Sequence, residues 1–171
     1  MIASFIFSDI GARLHGMMVK NSGLWKIREP GGSAMEDIRL ICPEDCGNAP
    51  RKALLRDFTF AAVRQDLDFI MKHLADSVVW EIAGKQQTVG QASFADAIRQ
   101  WHAKPAVLLE IRHIITHGRT GAVSGVVTYD GSSRSFCDVY EFAGASRTAK
   151  LKKMTSYIID LELSEQSKSN F

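Results

Sequence analysis

The sequence predicts one α+β domain in which helices come first and a run of long strands follows. Three observations carry that prediction. Apolar residues recur at helical spacing in separate segments between Arg51 and Trp101. From Val107 onward the chain reads as long β-rich segments separated by short turns. Its 171 residues, 46% hydrophobic and 23% charged, suit an ordinary single core and surface. Helices segregated to one side of an antiparallel sheet form a packed α+β arrangement, which leaves room for a cavity between the layers.

Residues 1–34 are expected to be a poorly structured extension. Gly11, Gly16, Gly23, Gly31 and Gly32 interrupt any helical period, and Pro30 ends whatever precedes it. At Met35 the pattern changes to the alternation Met35-Glu36-Asp37-Ile38-Arg39-Leu40-Ile41 of a short strand. Gly31-Gly32 can be encoded by a purine-rich ribosome-binding sequence with a short spacer before the Met35 codon. The expectation is therefore a natural start at Met35, with a genuine flexible tail as the alternative. The apolar start Met1 to Phe7 lacks a basic region before it and a small-residue cleavage site after it, and does not read as a signal peptide.

The domain is expected over residues 35–163. Cys42 to Pro50 is a loop, with Asn48 placed to cap the helix that follows. Ala53, Leu54, Phe58, Ala61 and Ala62 mark that first helix, and Arg64-Gln65-Asp66 breaks it. A short second helix follows from Asp66, its cap, to Leu74. Ser77 to Ile82 is a strand, Gly84 a turn, and Gln87 to Val89 a second short strand. Ser93 to Trp101 is a third helix with Phe94, Ala97, Ile98 and Trp101 inward, closed by Pro105. Four antiparallel strands complete the domain: Val107–Thr116, Ala122–Tyr129, Ser135–Phe142 and Leu151–Leu163, with Asp130-Gly131 a strong hairpin signal. Residues 164–171 form a polar tail.

Composition excludes several function classes. The net charge is +2, from 21 Lys and Arg against 19 Asp and Glu, with no basic run interleaved with aromatics. No nucleic-acid partner is expected. No apolar stretch approaches a membrane span, so no membrane partner is expected either. Three cysteines are too few for a disulfide-stapled secreted domain, and the expected setting is reducing and cytoplasmic. Cys42 and Cys46 could form a disulfide if the loop folds tightly, could serve a thiol role, or could be incidental. They lack the further ligands a metal needs. His113 and His117, four apart on a strand, would stand roughly 13 Å apart, too far to share one ion. No phosphate loop, nucleophile elbow or HExxH motif is present. Neither a metal nor a cofactor is expected.

Asp138 is the residue that sequence reasoning singles out. It sits among Phe136, Cys137, Val139 and Tyr140 in a strongly β segment, where Asp is depleted. A carboxylate among apolar neighbours must be paired, exposed or protonated. Facing a cavity, desolvation would raise its pKa and make it a usable acid or hydrogen-bond donor. Facing outward, or paired with an Arg or His of a neighbouring strand, it would have a structural role. Tyr140 shares its face by period-two alternation, as Trp80 does with Ile82 and Met154 with Ser156.

These segments resemble a known family. Asp66-Leu67-Asp68, then Leu74-Ala75-Asp76-Ser77-Val78-Val79-Trp80-Glu81, and later Asp138-Val139-Tyr140-Glu141-Phe142, are similar to the SnoaL-like and ketosteroid-isomerase-like branch of the nuclear-transport-factor-two-like superfamily. The resemblance covers residues 50 to 162. The loop Cys42 to Pro50 with Arg51-Lys52 resembles a motif of a bacterial subgroup. The resemblance implies a cone-shaped, curved antiparallel sheet (a cystatin-like roll) with three helices on its concave side. It implies a homodimer through the sheet, and a pocket for a small apolar molecule lined by Phe58, Trp80, Ile82, Trp101, Met154 and Ser156.

A ketosteroid isomerase uses a carboxylate base and an oxyanion hole of a Tyr and a protonated Asp. The family's base position falls on Ile82 and its tyrosine position on Phe58, neither of which can do that work; only Asp138 is retained. Steroid isomerisation by that route is not expected. SnoaL-type cyclases use a single pocket Asp as acid/base, and the resemblance implies that role for Asp138, with Tyr140 orienting a substrate carbonyl. The alternative is a binding or protein-interaction module without chemistry.

Overall fold

The computed structural model describes residues 17–21, 24–28, 38–43 and 49–161, and divides the chain into two units, Met1–Asp37 and Ile38–Phe171. In the first unit, β1 (Met17–Asn21) and β2 (Leu24–Arg28) pair as an antiparallel ribbon. The rest of the stretch expected to be irregular lies outside the described residues, as do Met35, the capping residue Asn48, Cys46 and the polar tail.

The second unit runs β3 (Arg39–Ile41), α1 (Pro50–Arg64), α2 (Leu67–His73), β4 (Leu74–Ile82), β5 (Gln86–Val89), α3 (Gln91–Trp101), β6 (Ala106–His117), β7 (Thr120–Tyr129), β8 (Ser132–Phe142) and β9 (Leu151–Leu161). Ala49 precedes α1 without a side-chain cap, and Pro50 opens the helix, where its missing N–H costs nothing. Gln65 ends α1 in the left-handed conformation, at φ 58°, and its N–H reaches back to the last carbonyls. Asp66 then caps α2, its side chain accepting from the Phe69 N–H at 3.1 Å. The buried face of α1 is Leu55, Phe58, Thr59, Ala61 and Val63. It is wider than the expected stripe: Thr59 points inward as well, while Ala62 is half-buried against the core.

The sheet has seven strands in the order β3-β6-β7-β8-β9-β4-β5 and is not closed. It is mixed rather than antiparallel throughout: β3 runs parallel to β6, and β4 parallel to β9. The sequence pattern reveals which residues share a face but not which strand lies alongside. The four late strands form an antiparallel meander, and the early strands add to its two sides. Helix α1 packs on β6 and β7, α3 on β4 and β5, and α2 bridges α1 and α3. The core between helices and sheet includes Leu55, Phe58, Ile70, Val78, Phe94, Ile98, Leu109, Ile111, Val123 and Tyr140.

Gly125 on β7 fixes how tightly this sheet packs. A Cβ there would stand 2.1 Å from the Glu110 carbonyl oxygen and 3.0 Å from the Phe136 ring. The β6–β7 register shifts beside it, between Ile111 and His113, so the bulged backbone closes onto a position only glycine can occupy.

Candidate functional site

Inward-facing positions of β8 and β9 meet α1 and α3 around a cavity of about 60 Å3, room for roughly four to six water-sized spheres. Of the residues expected to line a pocket, Phe58, Trp80, Trp101, Met154 and Ser156 do so, together with Asp138 and Tyr140. Ile82 does not. It lies one alternation, roughly 7 Å, beyond Trp80 on β4, and is buried in the core outside the cavity wall. Phe58 packs edge-on against Tyr140 and Phe94, with ring centroids 6.0 and 6.4 Å apart. Trp80 lies 4.9 Å from Phe94. These rings fix the cavity's shape.

Asp138 is enclosed by protein, yet it keeps some accessible surface because the space beside it is the cavity. Burial pushes its carboxyl up to about 6, against the smaller opposing effect of hydrogen bonds from Ser156 and Tyr140. The Tyr140 hydroxyl lies 3.3 Å from Asp138 Oδ2 and 3.2 Å from Thr59 Oγ1. Burial, and then the neighbouring Asp138, hold the Tyr140 phenol well above its usual range, so it stays a neutral donor.

Counting protons orients the group. Trp80 Nε1 donates to Ser156 Oγ at 2.9 Å. Indole is donor only, so the single Ser156 hydrogen is left for Asp138, its direct cross-strand partner. Tyr140 also has one hydrogen, to share between Asp138 and Thr59. Thr59 can give its own to the Leu55 carbonyl, 2.9 Å away. Ionised Asp138 therefore receives hydrogens from both Ser156 and Tyr140. Protonated Asp138 becomes a donor, and Tyr140 can turn to Thr59.

A second polar group lies at the other end of the lining. Arg134, four residues before Asp138 on the same face of β8, places its guanidinium 5.4 Å from the Trp101 ring centroid and 5.5 Å from that of Tyr129. Its Nη1 donates to the Trp101 carbonyl at 3.2 Å, and its Nε to Asp160 Oδ1 at 2.8 Å. The Tyr129 hydroxyl lies 3.1 Å from His102 Nδ1. Burial, and then Arg134, bring His102 down to about 4, so its ring is neutral. Arg134, Tyr129, His102 and Thr59 are site residues that sequence reasoning missed. The period-two count back from Asp138 through Phe136 reaches Arg134 only if β8 begins before Ser135, as it does.

Outside the cavity, His113 is exposed and its Nδ1 lies 3.2 Å from Ser124 Oγ. Cys42 is disulfide-bonded and Cys137 is a free thiol. Among the described residues, no group of three or more His, Cys, Asp or Glu is arranged to hold a metal, and no helix is long and apolar enough to cross a membrane.

Residues 55–148 match the sequence profile of the SnoaL-like domain, more than half of the 171-residue chain. No curated protein matches the chain. Solved structures share the fold. A nuclear-transport-factor-two-like protein of unknown function from Burkholderia xenovorans is 18% identical, with a TM-score of 0.56 over 74% of this chain and 95% of its own. SalBIII, described as an epoxide hydrolase/cyclase-like enzyme in pyran ring formation in the polyether salinomycin, is 15% identical, with a TM-score of 0.55 over 66% and 93%. An LEH-like epoxide hydrolase of M. tuberculosis is 17% identical, with a TM-score of 0.51 over 63% and 76%. At these identities the structures share architecture alone. The profile match, which runs from within α1 through β8, is what assigns the chain: it belongs to the SnoaL-like domain family.

Proposed function

We propose that the chain binds a small, mainly apolar molecule in this cavity and that Asp138 exchanges a proton with it, in a cofactor-independent isomerase, cyclase or lyase reaction. One observation carries the reading. A carboxyl with a pKa of about 6 is enclosed in the wall of a mainly apolar cavity, beside the Tyr140 and Ser156 hydroxyls. Near neutral pH such a group can take a proton from carbon beside a carbonyl and return it elsewhere. Protonated, it can give its hydrogen to an ether or epoxide oxygen as the C–O bond breaks. A hydroxyl or water then attacks the carbon, and its proton restores the acid. Two structures of the same fold are described as epoxide hydrolase or cyclase-like enzymes, which makes hydroxy-epoxides the first compounds to try. Tyr140 would steady the substrate oxygen. Asp138→Asn is expected to lower turnover by about 100-fold or more, while quenching of Trp80 emission still reports binding. Turnover that survives the substitution ends the acid/base role. Binding without turnover in the unaltered protein leaves a receptor.

A second reading concerns partners. The outer face of the sheet exposes Ile115, Val139, Tyr157, Ile159 and Leu161, with Ile115 at 65% and Ile159 at 66%. Large apolar side chains gathered on one open face favour a partner surface, and we propose a second copy of this chain as the occupant. Sedimentation should give a dimer, and Tyr157→Asp with Ile159→Asp a folded monomer. A monomeric unaltered protein at about 100 μM sinks the idea, because interfaces of ordinary size hold well below that concentration.

A further inference from the structure

The cavity wall has polar groups at two separated places and is apolar between them. Asp138, Ser156, Tyr140 and Thr59 form one end, and Arg134 marks the other. Arg134 and Asp138 face the same way on β8, four residues and so roughly 13 Å apart along the strand. Val127, Phe136, Met154 and Ile158 are among the residues lining the space with them.

The two ends differ in charge. Asp138 lies where burial opposes a negative charge, so a second anion there would be repelled and desolvated together. At the opposite end Arg134 and Lys85 both lie against the Trp101 ring, Lys85 Nζ at 5.0 Å from its centroid. Asp160 is the acidic partner of Arg134 there, and His102 is neutral. The balance at that end is positive.

Arg134 is also held in one orientation. The Trp101 and Tyr129 rings, the Trp101 carbonyl and the Asp160 carboxylate constrain its plane. A guanidinium has five N–H groups. Asp160 and the Trp101 carbonyl take one each, which leaves donors for a further acceptor. The Asp160 side chain is 68% exposed, so that ion pair contributes little and yields or shares readily. A fixed, planar fork with spare donors is the arrangement that recognises carboxylates.

We infer that the cavity takes an elongated, mostly apolar molecule with a single carboxylate, the carboxylate seated on Arg134 and the far end against Asp138. The inference rests on the cavity being a ligand site and adds the class of ligand. A cation is excluded by Arg134 and Lys85, and a dianion by Asp138. A neutral molecule gives up the contact at Arg134.

Octanoate, octanamide and octylamine differ at the head group alone and test this directly. Each is titrated into the 171-residue chain by calorimetry and by tryptophan emission, since Trp80 and Trp101 lie in the wall. Octanoate should bind about ten-fold tighter than octanamide or better, the worth of one charge-assisted hydrogen bond, and octylamine weakest. Arg134→Gln should bring the acid-to-amide ratio to about one. Arg134→Lys, which keeps the charge without the fork, should retain part of the preference. Equal binding of acid and amide to the unaltered protein overturns the anchor and leaves the cavity a ligand site. A preference that both variants keep in full overturns it as well. Failure of all three compounds to bind at millimolar concentration overturns the anchor and the ligand-site reading together.

Discussion

Asp138→Asn is expected to stabilise the protein above pH 6, relative to its stability at pH 4, by up to about 3 kcal/mol compared with the unaltered chain. The Asp138 carboxyl ionises near 3.8 when unfolded and at about 6 when folded. Between those values the folded state holds the extra proton, so raising the pH favours unfolding. The loss is complete above pH 6. The amide cannot ionise, and the variant escapes it. His102 works the other way over nearly the same range. Its ring protonates near 6.5 when unfolded and near 4 when folded, so the unfolded state holds the extra proton, and stability falls as the pH drops from about 6.5 to 4. The two effects are each about 3 kcal/mol and opposed. The unaltered protein should therefore show a shallow dependence between pH 4 and 6. Asp138→Asn should show stability rising with pH, and His102→Gln the reverse. Urea denaturation at half-unit pH steps reads all three curves. Parallel curves for the unaltered protein and Asp138→Asn would falsify the enclosed, proton-holding carboxyl on which the proposed chemistry depends.

Gly125→Ala should be among the most damaging single changes in the sheet. The added Cβ meets the Glu110 carbonyl at 2.1 Å, and a backbone oxygen in a paired strand cannot turn aside. Relief requires β6 and β7 to separate at their bulge, at a cost of about 2–4 kcal/mol and a fall in Tm of roughly 10 °C. Gly121→Ala is the control. Its nearest neighbour is the end of the Leu55 side chain at 2.5 Å, with backbone no closer than 3.3 Å, so a rotamer change absorbs much of the clash. Thermal unfolding should place Gly125→Ala well below Gly121→Ala. Equal losses would mean that the bulge is not the tight point. Because Gly125 pairs with Phe136, two residues before Asp138, a tolerated variant should also bind cavity ligands more weakly.

The helices and late strands were legible because each repeats a local pattern. Apolar spacing located α1 and α3, Asp66 announced α2, and Asp130-Gly131 marked the β7–β8 hairpin. Asp138 was legible because it breaks its own local rule, an acidic residue amid a β-rich segment. Arg134 was not, because β8 was expected to begin at Ser135 and begins at Ser132, leaving Arg134 in a presumed turn with no face to count. Thr59 inside a helix carried no signal until the neighbouring strand brought Tyr140 to it. His102 at the end of α3 belongs to no motif that points to a cavity. The parallel pairings of β3 and β4 were beyond periodicity altogether: alternation fixes the two sides of a strand, whereas its neighbours depend on where distant segments return. Ile82 shows the same limit. Its shared parity with Trp80 was correct, and how far the cavity extends along β4 was set by side chains on other elements.

The last described strand, β9, lies between β8 and β4 and supplies Met154 and Ser156 to the cavity. During synthesis the β6–β8 meander can pair as it emerges, whereas β4 and β5 can join that sheet only once β9 has arrived between them. Assembly of the barrier-crossing structure thus depends on contacts between residues some 70 positions apart, such as Trp80 with Met154, which close slowly and expose unpaired edges while they wait. A nascent chain halted before Leu151 would lack Met154, Ser156 and Ile158 from the cavity wall, and Asp138 would be without its cross-strand partner. The cavity would be completed only as the closing strand docks.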